Sequence, residues 1–239
     1  MYAVITQGSF GNPLFAYIYA GNAFFIYVGS VLLGVSNTIV EDREHYGMLK
    51  YIYVSPIQAY FYLLGRGAAK TFTATIAVAV TFAFGVLVLG VRFSLAAIDW
   101  PLLAVSLVTG LVGLGFMGIL LAGVSLITAR HNFLVGEAVA GALYLLCGAV
   151  FPLSVLPDWL QWAGRALPIT YWLESLRRAL LGAETVQHLK TGLEDLSTAL
   201  ILLILIGSTA VAIFLSAGFY RWCEHRAKEK GLIDMQTMY

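Results

Sequence analysis

The sequence predicts an all-α integral membrane protein with five transmembrane helices, an amphipathic helical segment after the first and a helical hairpin before the last. Three observations carry that prediction. Hydrophobic residues make up 60% of the chain and charged residues only 11%, against about 25% charged in an ordinary soluble domain. The apolar residues fall in long unbroken runs and do not alternate as barrel strands do. Short polar islands separate the runs and hold the lysines and arginines.

A hydrocarbon core about 30 Å thick takes roughly 20 residues of helix. Residues 14–40, 71–91, 101–128, 135–156 and 197–220 each meet that length. Residues 41–54 follow the first span directly. Glu41, Asp42 and Glu44 suit a helix start, where negative charge is favoured, and Lys50 comes later. Tyr46, Leu49, Tyr51, Tyr53 and Val54 give this segment an apolar side that can lie along a membrane surface, until Ser55-Pro56 stops it. Arg66 and Lys70 introduce the second span. The stretch Gly65–Thr71 is no phosphate loop, because Ala69 stands where Gly must precede the lysine.

Small residues on the third span (Ser106, Gly110, Gly113, Gly115, Gly118, Ala122) allow close helix packing. Residues 157–182 carry Trp159, Trp162, Tyr171 and Trp172, aromatics of the kind that collect at a membrane–water boundary. Leu160, Ala163, Ala166 and Leu167 recur at helical spacing, so a pair of short helices split by Pro168 is expected to lie in or dip into the outer leaflet. Arg221–Lys230 reads as a basic anchor for the last span. Residues 1–239 together form one transmembrane domain.

Positive charge sets the orientation. Arg43, Lys50, Arg66 and Lys70, then Arg130 with His131, then Arg221, Arg226, Lys228 and Lys230 all fall on one face, which is the cytoplasm. The carboxyl terminus is therefore cytoplasmic. The amino terminus lies outside, although Met1 to Val40 contains no charged side chain. Either an uncharged tail is translocated or a preceding span is missing. Arg165, Arg177, Arg178 and Lys190 sit on the outer side and break the pattern.

A net charge of +1 leaves no basic surplus for nucleic acid. Cys147 and Cys223 fall on opposite halves of the topology, so no disulfide is expected. His45, His131, His188 and His225 are scattered singly and suggest no metal site. Glu137, the acidic residue nearest a span interior, is a candidate gating residue by its cost there; the other reading is local pairing with Arg130 or His131. The charged island at 41–54 also has two readings. It is a docking face for a soluble partner, or a solvated linker with interfacial tyrosines.

The run Glu41-Asp42-Arg43-Glu44-His45-Tyr46-Gly47-Met48-Leu49, closed by Ser55-Pro56-Ile57, resembles the first cytoplasmic loop of ABC-2 type transporter permeases. There an acidic-basic-acidic triplet, a glycine and a later Ser-Pro mark the coupling helix. Phe151-Pro152, Leu156-Pro157-Asp158-Trp159-Leu160, Leu167-Pro168-Ile169-Thr170-Tyr171 and Leu176-Arg177 are similar to the family's re-entrant hairpin before its last span. Met48 departs from the pattern, which usually has a small hydroxyl residue there. The family also has six spans and a cytoplasmic amino terminus, so the resemblance implies that its first span is lacking here.

The resemblance implies the permease subunit of an ATP-binding cassette exporter in a prokaryotic cell membrane. It would work as a homodimer or heterodimer in the lipid bilayer, coupled to a separate cytoplasmic ABC ATPase, with no cofactor and no covalent chemistry of its own. It assigns Glu41, Asp42, Arg43, Glu44, Gly47, Leu49, Lys50, Ser55 and Pro56 to partner binding. It assigns Phe151, Pro152, Pro157, Trp159, Pro168, Tyr171 and Arg177 to the hairpin. The rival reading is an ATP-independent secondary transporter or channel. That would need ionisable residues at mid-membrane, and the predicted spans offer no such set.

Overall fold

Hydropathy dictates the longest elements. The computed structural model describes residues 13–91, 93, 98–128, 132–189 and 191–233, apart from the side chains of 132–135 and 137. Among them every regular element is helical. Four helices are long and apolar enough to cross a membrane: α1 (Pro13–His45), α3 (Ala59–Leu87), α4 (Trp100–Ile127) and α9 (Thr198–Glu229). Five shorter ones complete the set: α2 (Leu49–Val54), α5 (Asn132–Leu146), α6 (Asp158–Arg165), α7 (Pro168–Leu181) and α8 (Ala183–Gln187).

Helix ends differ from the hydropathy boundaries where charge does not oppose helix. Helix α3 begins at Ala59, so Arg66 and Lys70 lie within it. Both are good helix formers, and polarity alone does not end a helix. Helix α9 likewise runs on through Arg221 and Arg226 to Glu229. The fourth apolar run, expected as a continuous span over 135–156, is helical only to Leu146. Gly148, at φ +70°, turns the chain, and a short 3-10 turn follows at Leu153–Val155. The 15 residues of α5 reach about 22 Å at 1.5 Å per residue, short of a full hydrocarbon crossing.

The chain packs as two compact units. The first comprises the described parts of Met1–Ile26, Thr75–Gly110 and Ala142–Ser208. Helix α7 is packed on all sides in it, with every residue from Trp172 to Leu180 buried. Its Trp172 donates Nε1–H to the Ser106 carbonyl at 3.0 Å. The second unit comprises the described parts of Tyr27–Ala74, Leu111–Gly141 and Thr209–Tyr239. Its core joins Val35 and Ile39 of α1, Leu63 of α3, Ile119, Ala122 and Leu126 of α4, and Tyr220 of α9.

Small residues on α4 differ in purpose. A Cβ at Gly118 would stand 2.9 Å from the Leu32 carbonyl oxygen and 3.0 Å from Val35 Cβ, whereas one at Gly115 would meet nothing within 4 Å. Gly118→Ala therefore forces α1 and α4 apart and lowers the melting temperature. Gly115→Ala leaves it unchanged or raises it, since alanine is favoured over glycine in a helix by about 0.5–1 kcal/mol. Thermal unfolding of the two detergent-solubilised variants checks the contrast.

Candidate functional site

Helix α1 does not stop at the first charge. Its last turn, Glu41–His45, widens to i→i+5 bonding, with Tyr46 N–H donating to the Glu41 carbonyl at 3.0 Å. Met48 N–H then reaches back to the Asp42 carbonyl at 2.7 Å. This capping needs Gly47 at φ +58°, a conformation glycine adopts without strain. The island is thus the end of α1, a glycine turn and the short helix α2, and not one amphipathic helix over 41–54.

The charges do not face water as the sequence led us to expect. Asp42, Arg43 and Glu44 are buried. Arg43 Nε pairs with Glu44 Oε1 at 3.0 Å, and its Nη1 donates to the Ser125 carbonyl of α4 at 3.5 Å. Asp42 Oδ2 accepts from the Tyr62 hydroxyl of α3 at 2.7 Å, and its Oδ1 lies 3.5 Å from Arg66 Nη2. The same Arg66 nitrogen is 3.5 Å from half-buried Glu41. Each buried charge meets an opposite charge or a polar group carried by α1, α3 or α4, which is what makes burial tolerable.

What faces outward is the rest of the loop. Tyr46, Met48, Lys50, Tyr51, Val54, Pro56 and Ile57 are exposed, while Leu49 is buried in the core of the second unit. Ser55 holds the Ser-Pro turn, its hydroxyl donating to the Ile52 carbonyl at 2.8 Å and accepting from Ile57 N–H at 3.3 Å. This turn walls a cavity of about 410 Å³ together with Arg221, Glu224 and Lys228 of α9. Tyr53 shares its hydroxyl proton with Tyr220 at 3.0 Å, and burial pushes its phenol well above the usual range.

The first unit holds a second buried charge network, on α7. Arg177 donates to four oxygens: the Tyr17 carbonyl at 3.1 Å, the Tyr17 hydroxyl at 3.0 Å, and the carbonyls of Gly148 at 2.8 Å and Ala149 at 3.3 Å. Its guanidinium also lies 4.0 Å from the Tyr17 ring centroid. Tyr17 passes its proton on to Glu174 Oε2 at 3.0 Å, and Glu174 Oε1 accepts from Arg178 at 3.2 Å and Thr191 at 3.3 Å. Arg178 completes its bonding with the carbonyls of Leu193 and Leu196. Glu174 is a residue that sequence reasoning passed over; its i,i+4 spacing to Arg178 was the available signal.

The remaining hairpin residues are dispersed. Pro152 is buried before the 3-10 turn, Pro157 precedes α6, and Pro168 opens α7 where its missing N–H costs nothing. Tyr171 donates to the Arg165 carbonyl at 2.7 Å, tying α7 to α6. Phe151 is half-buried and Trp159 is exposed. Glu137 lies on α5, but its side chain is outside the described residues, as are Arg92, Arg130, His131 and Lys190.

The family model for the ABC-2 type transporter matches residues 1–181. That covers the charged loop, helices α6 and α7, and most of the chain. The chain belongs to the ABC-2 type transporter family. No curated protein matches it. The permease is accordingly a multi-pass membrane component of an ABC-type transport system, a family that works with ABC ATPases.

Within the α7 network, the guanidinium and the phenol make separable demands on folding. Arg177→Ala strands four acceptors and leaves Glu174 with less compensation, so a loss of about 3–5 kcal/mol is expected. Tyr17→Phe removes a hydroxyl but leaves the ring under the guanidinium, and should cost about 1 kcal/mol. Chemical or thermal unfolding in detergent measures both, and the order Arg177→Ala below Tyr17→Phe below wild type is the expected result.

Proposed function

We propose that the chain is a permease subunit of an ATP-driven exporter, acting as a dimer with a separate ABC ATPase docked on residues 45–58. The observation that carries this reading is the pairing of an outward apolar and basic face with a buried charge cluster directly beneath it. Tyr46, Met48, Lys50, Tyr51, Val54 and Ile57 offer contact area, aromatic edges and one cation. Aromatic residues of this kind dominate protein–protein contact energies. Below them Asp42, Arg43 and Glu44 fasten the loop to α3 and α4. In this reading a push on the loop moves those helices as a rigid body, the movement that alternating access requires.

Glu41, Asp42, Arg43, Glu44 and Gly47 then act as the base of the coupling element, and Lys50 as a contact to the partner. Ser55 and Pro56 shape the edge of the docking face, and Leu49 anchors it. The permease has five membrane elements in this reading, with α5 as the short fourth one and α6–α7 forming a re-entrant hairpin on the outer side. It sits in the cell membrane with its carboxyl terminus and the docking face in the cytoplasm. Glu137 remains the candidate gating residue.

Two experiments test this. Co-purification of the ATPase, scored beside the melting temperature, separates contact from scaffold. Tyr46→Ala/Tyr51→Ala should lose the ATPase and its transport-coupled ATP turnover at unchanged melting temperature. Glu44→Lys, which buries an unmatched positive charge, should lower both. If the double tyrosine variant retains its partner, the exposed arc 46–57 is not the docking face. For topology, single cysteines at Gln187 and Lys50 are both exposed positions, and the two native thiols are buried. An impermeant thiol reagent applied from outside should label position 187 and spare position 50.

A further inference from the structure

Beside the hairpin, entirely within the first unit, lies a cavity of about 420 Å³ lined by Trp162, Arg165, Tyr171, Asp195, Leu196 and Ile204, among others. Its size falls in the range of small-molecule sites, about 300–1,000 Å³. We propose that it seats the headgroup of a zwitterionic phospholipid, with the phosphate on Arg165 and the amine between Asp195 and the aromatic walls. The proposal requires only that the protein lies in a membrane, and does not depend on ATPase docking.

The charge inventory selects the ligand. Arg165 and Asp195 are the two charged residues of the lining, one of each sign. Glu194 is not part of the lining, and its carboxylate accepts from Gly192 N–H at 2.6 Å. An anion would meet Asp195 and a cation would meet Arg165, whereas a ligand carrying both charges is matched at each end. Arg165 spends Nη2 on the Gly192 carbonyl at 2.9 Å, and its Nε is buried with no hydrogen-bond partner among the described residues. A guanidinium in that state suits a phosphate, which accepts charge-assisted bonds with good geometry. An ammonium is attracted to a carboxylate and to the face of an aromatic ring, tryptophan best.

Position then favours a lipid over a free solute. Trp159 and Trp162 are 71% and 73% exposed on α6, which is where amphipathic rings sit at headgroup level. Ile204 of the cavity is continued on α9 by exposed Leu200 and Leu203, one turn and one residue away. That apolar strip is a track for an acyl chain leaving the headgroup site.

Native mass spectrometry of the detergent-purified full chain tests the assignment, with chain-matched phosphatidylethanolamine and phosphatidylglycerol as probes. Wild type should retain the zwitterionic lipid in preference to the anionic one. Asp195→Asn, at an exposed position that leaves the fold intact, should shift that ratio about tenfold towards the anionic lipid. Arg165→Gln should reduce retention of both. Equal retention by wild type, or an unchanged ratio in Asp195→Asn, would overturn the proposal. Displacement by soluble glycerophosphoethanolamine as readily as by phospholipid would make the cavity a solute site and overturn it too.

Discussion

A charge inside an apolar bundle has to be matched from more than one helix, and that single constraint shapes both units of this permease. Moving an unpaired ion out of water costs several kcal/mol even after relaxation. The second unit meets the demand at the foot of α1, where Asp42 and Arg43 are answered by Tyr62 and Arg66 of α3 and by the Ser125 carbonyl of α4. The first unit meets it on α7, where two arginines and one glutamate are bonded to Tyr17, Thr191 and a set of backbone carbonyls. Buried ion networks commonly add little stability over a well-packed apolar core. What each fixes is register, because a helix that slides by one residue leaves a charge stranded.

That distinction bears on how a loop transmits motion. An exposed salt bridge is worth about 0–1 kcal/mol and yields under load. The Arg43–Glu44 pair and the Tyr62–Asp42 bond are instead out of water, and breaking either leaves a polar group uncompensated. The segment 41–45 is therefore stiffly attached to its neighbours, and the part of the loop open to contact is the exposed arc from Tyr46 onward. Contact and attachment are divided between adjacent residues of one short motif.

Hydropathy and helix period made four of the membrane helices legible, because burial of an apolar run in lipid is a property of the run itself. The ends were less so. Arg66 and Lys70 were read as a boundary, yet they continue α3, where Arg66 lies beside Glu41 and Asp42, partners that composition does not reveal. Burial of Asp42 and Arg43 was illegible for the same reason: their partners Tyr62 and Ser125 lie 20 and 82 residues along the chain. The early stop of α5 was signalled by Gly148 and Phe151-Pro152, and those signals lost to the weight of apolar residues around them. Arg177 was placed in the hairpin by resemblance, on the outer side where its charge breaks the positive-inside pattern. Its position is explained by five contacts to Tyr17, Gly148 and Ala149, none predictable from local pattern.

Tyrosine does much of the matching in both units. Tyr17 answers Glu174, Tyr62 answers Asp42, Tyr53 answers Tyr220, Tyr60 answers Ser216 and Tyr144 answers Asn22. A phenol brings a large apolar ring for packing and a single hydroxyl that both donates and accepts. In a chain with so few charges, that combination lets a helix bury a polar contact without adding another ion that would itself need a partner. Among these the sequence showed only Tyr53, as part of the apolar side of residues 41–54, which is how its ring behaves. The tyrosine hydroxyls are the part that decides which helices are joined, and only the tertiary structure displays it.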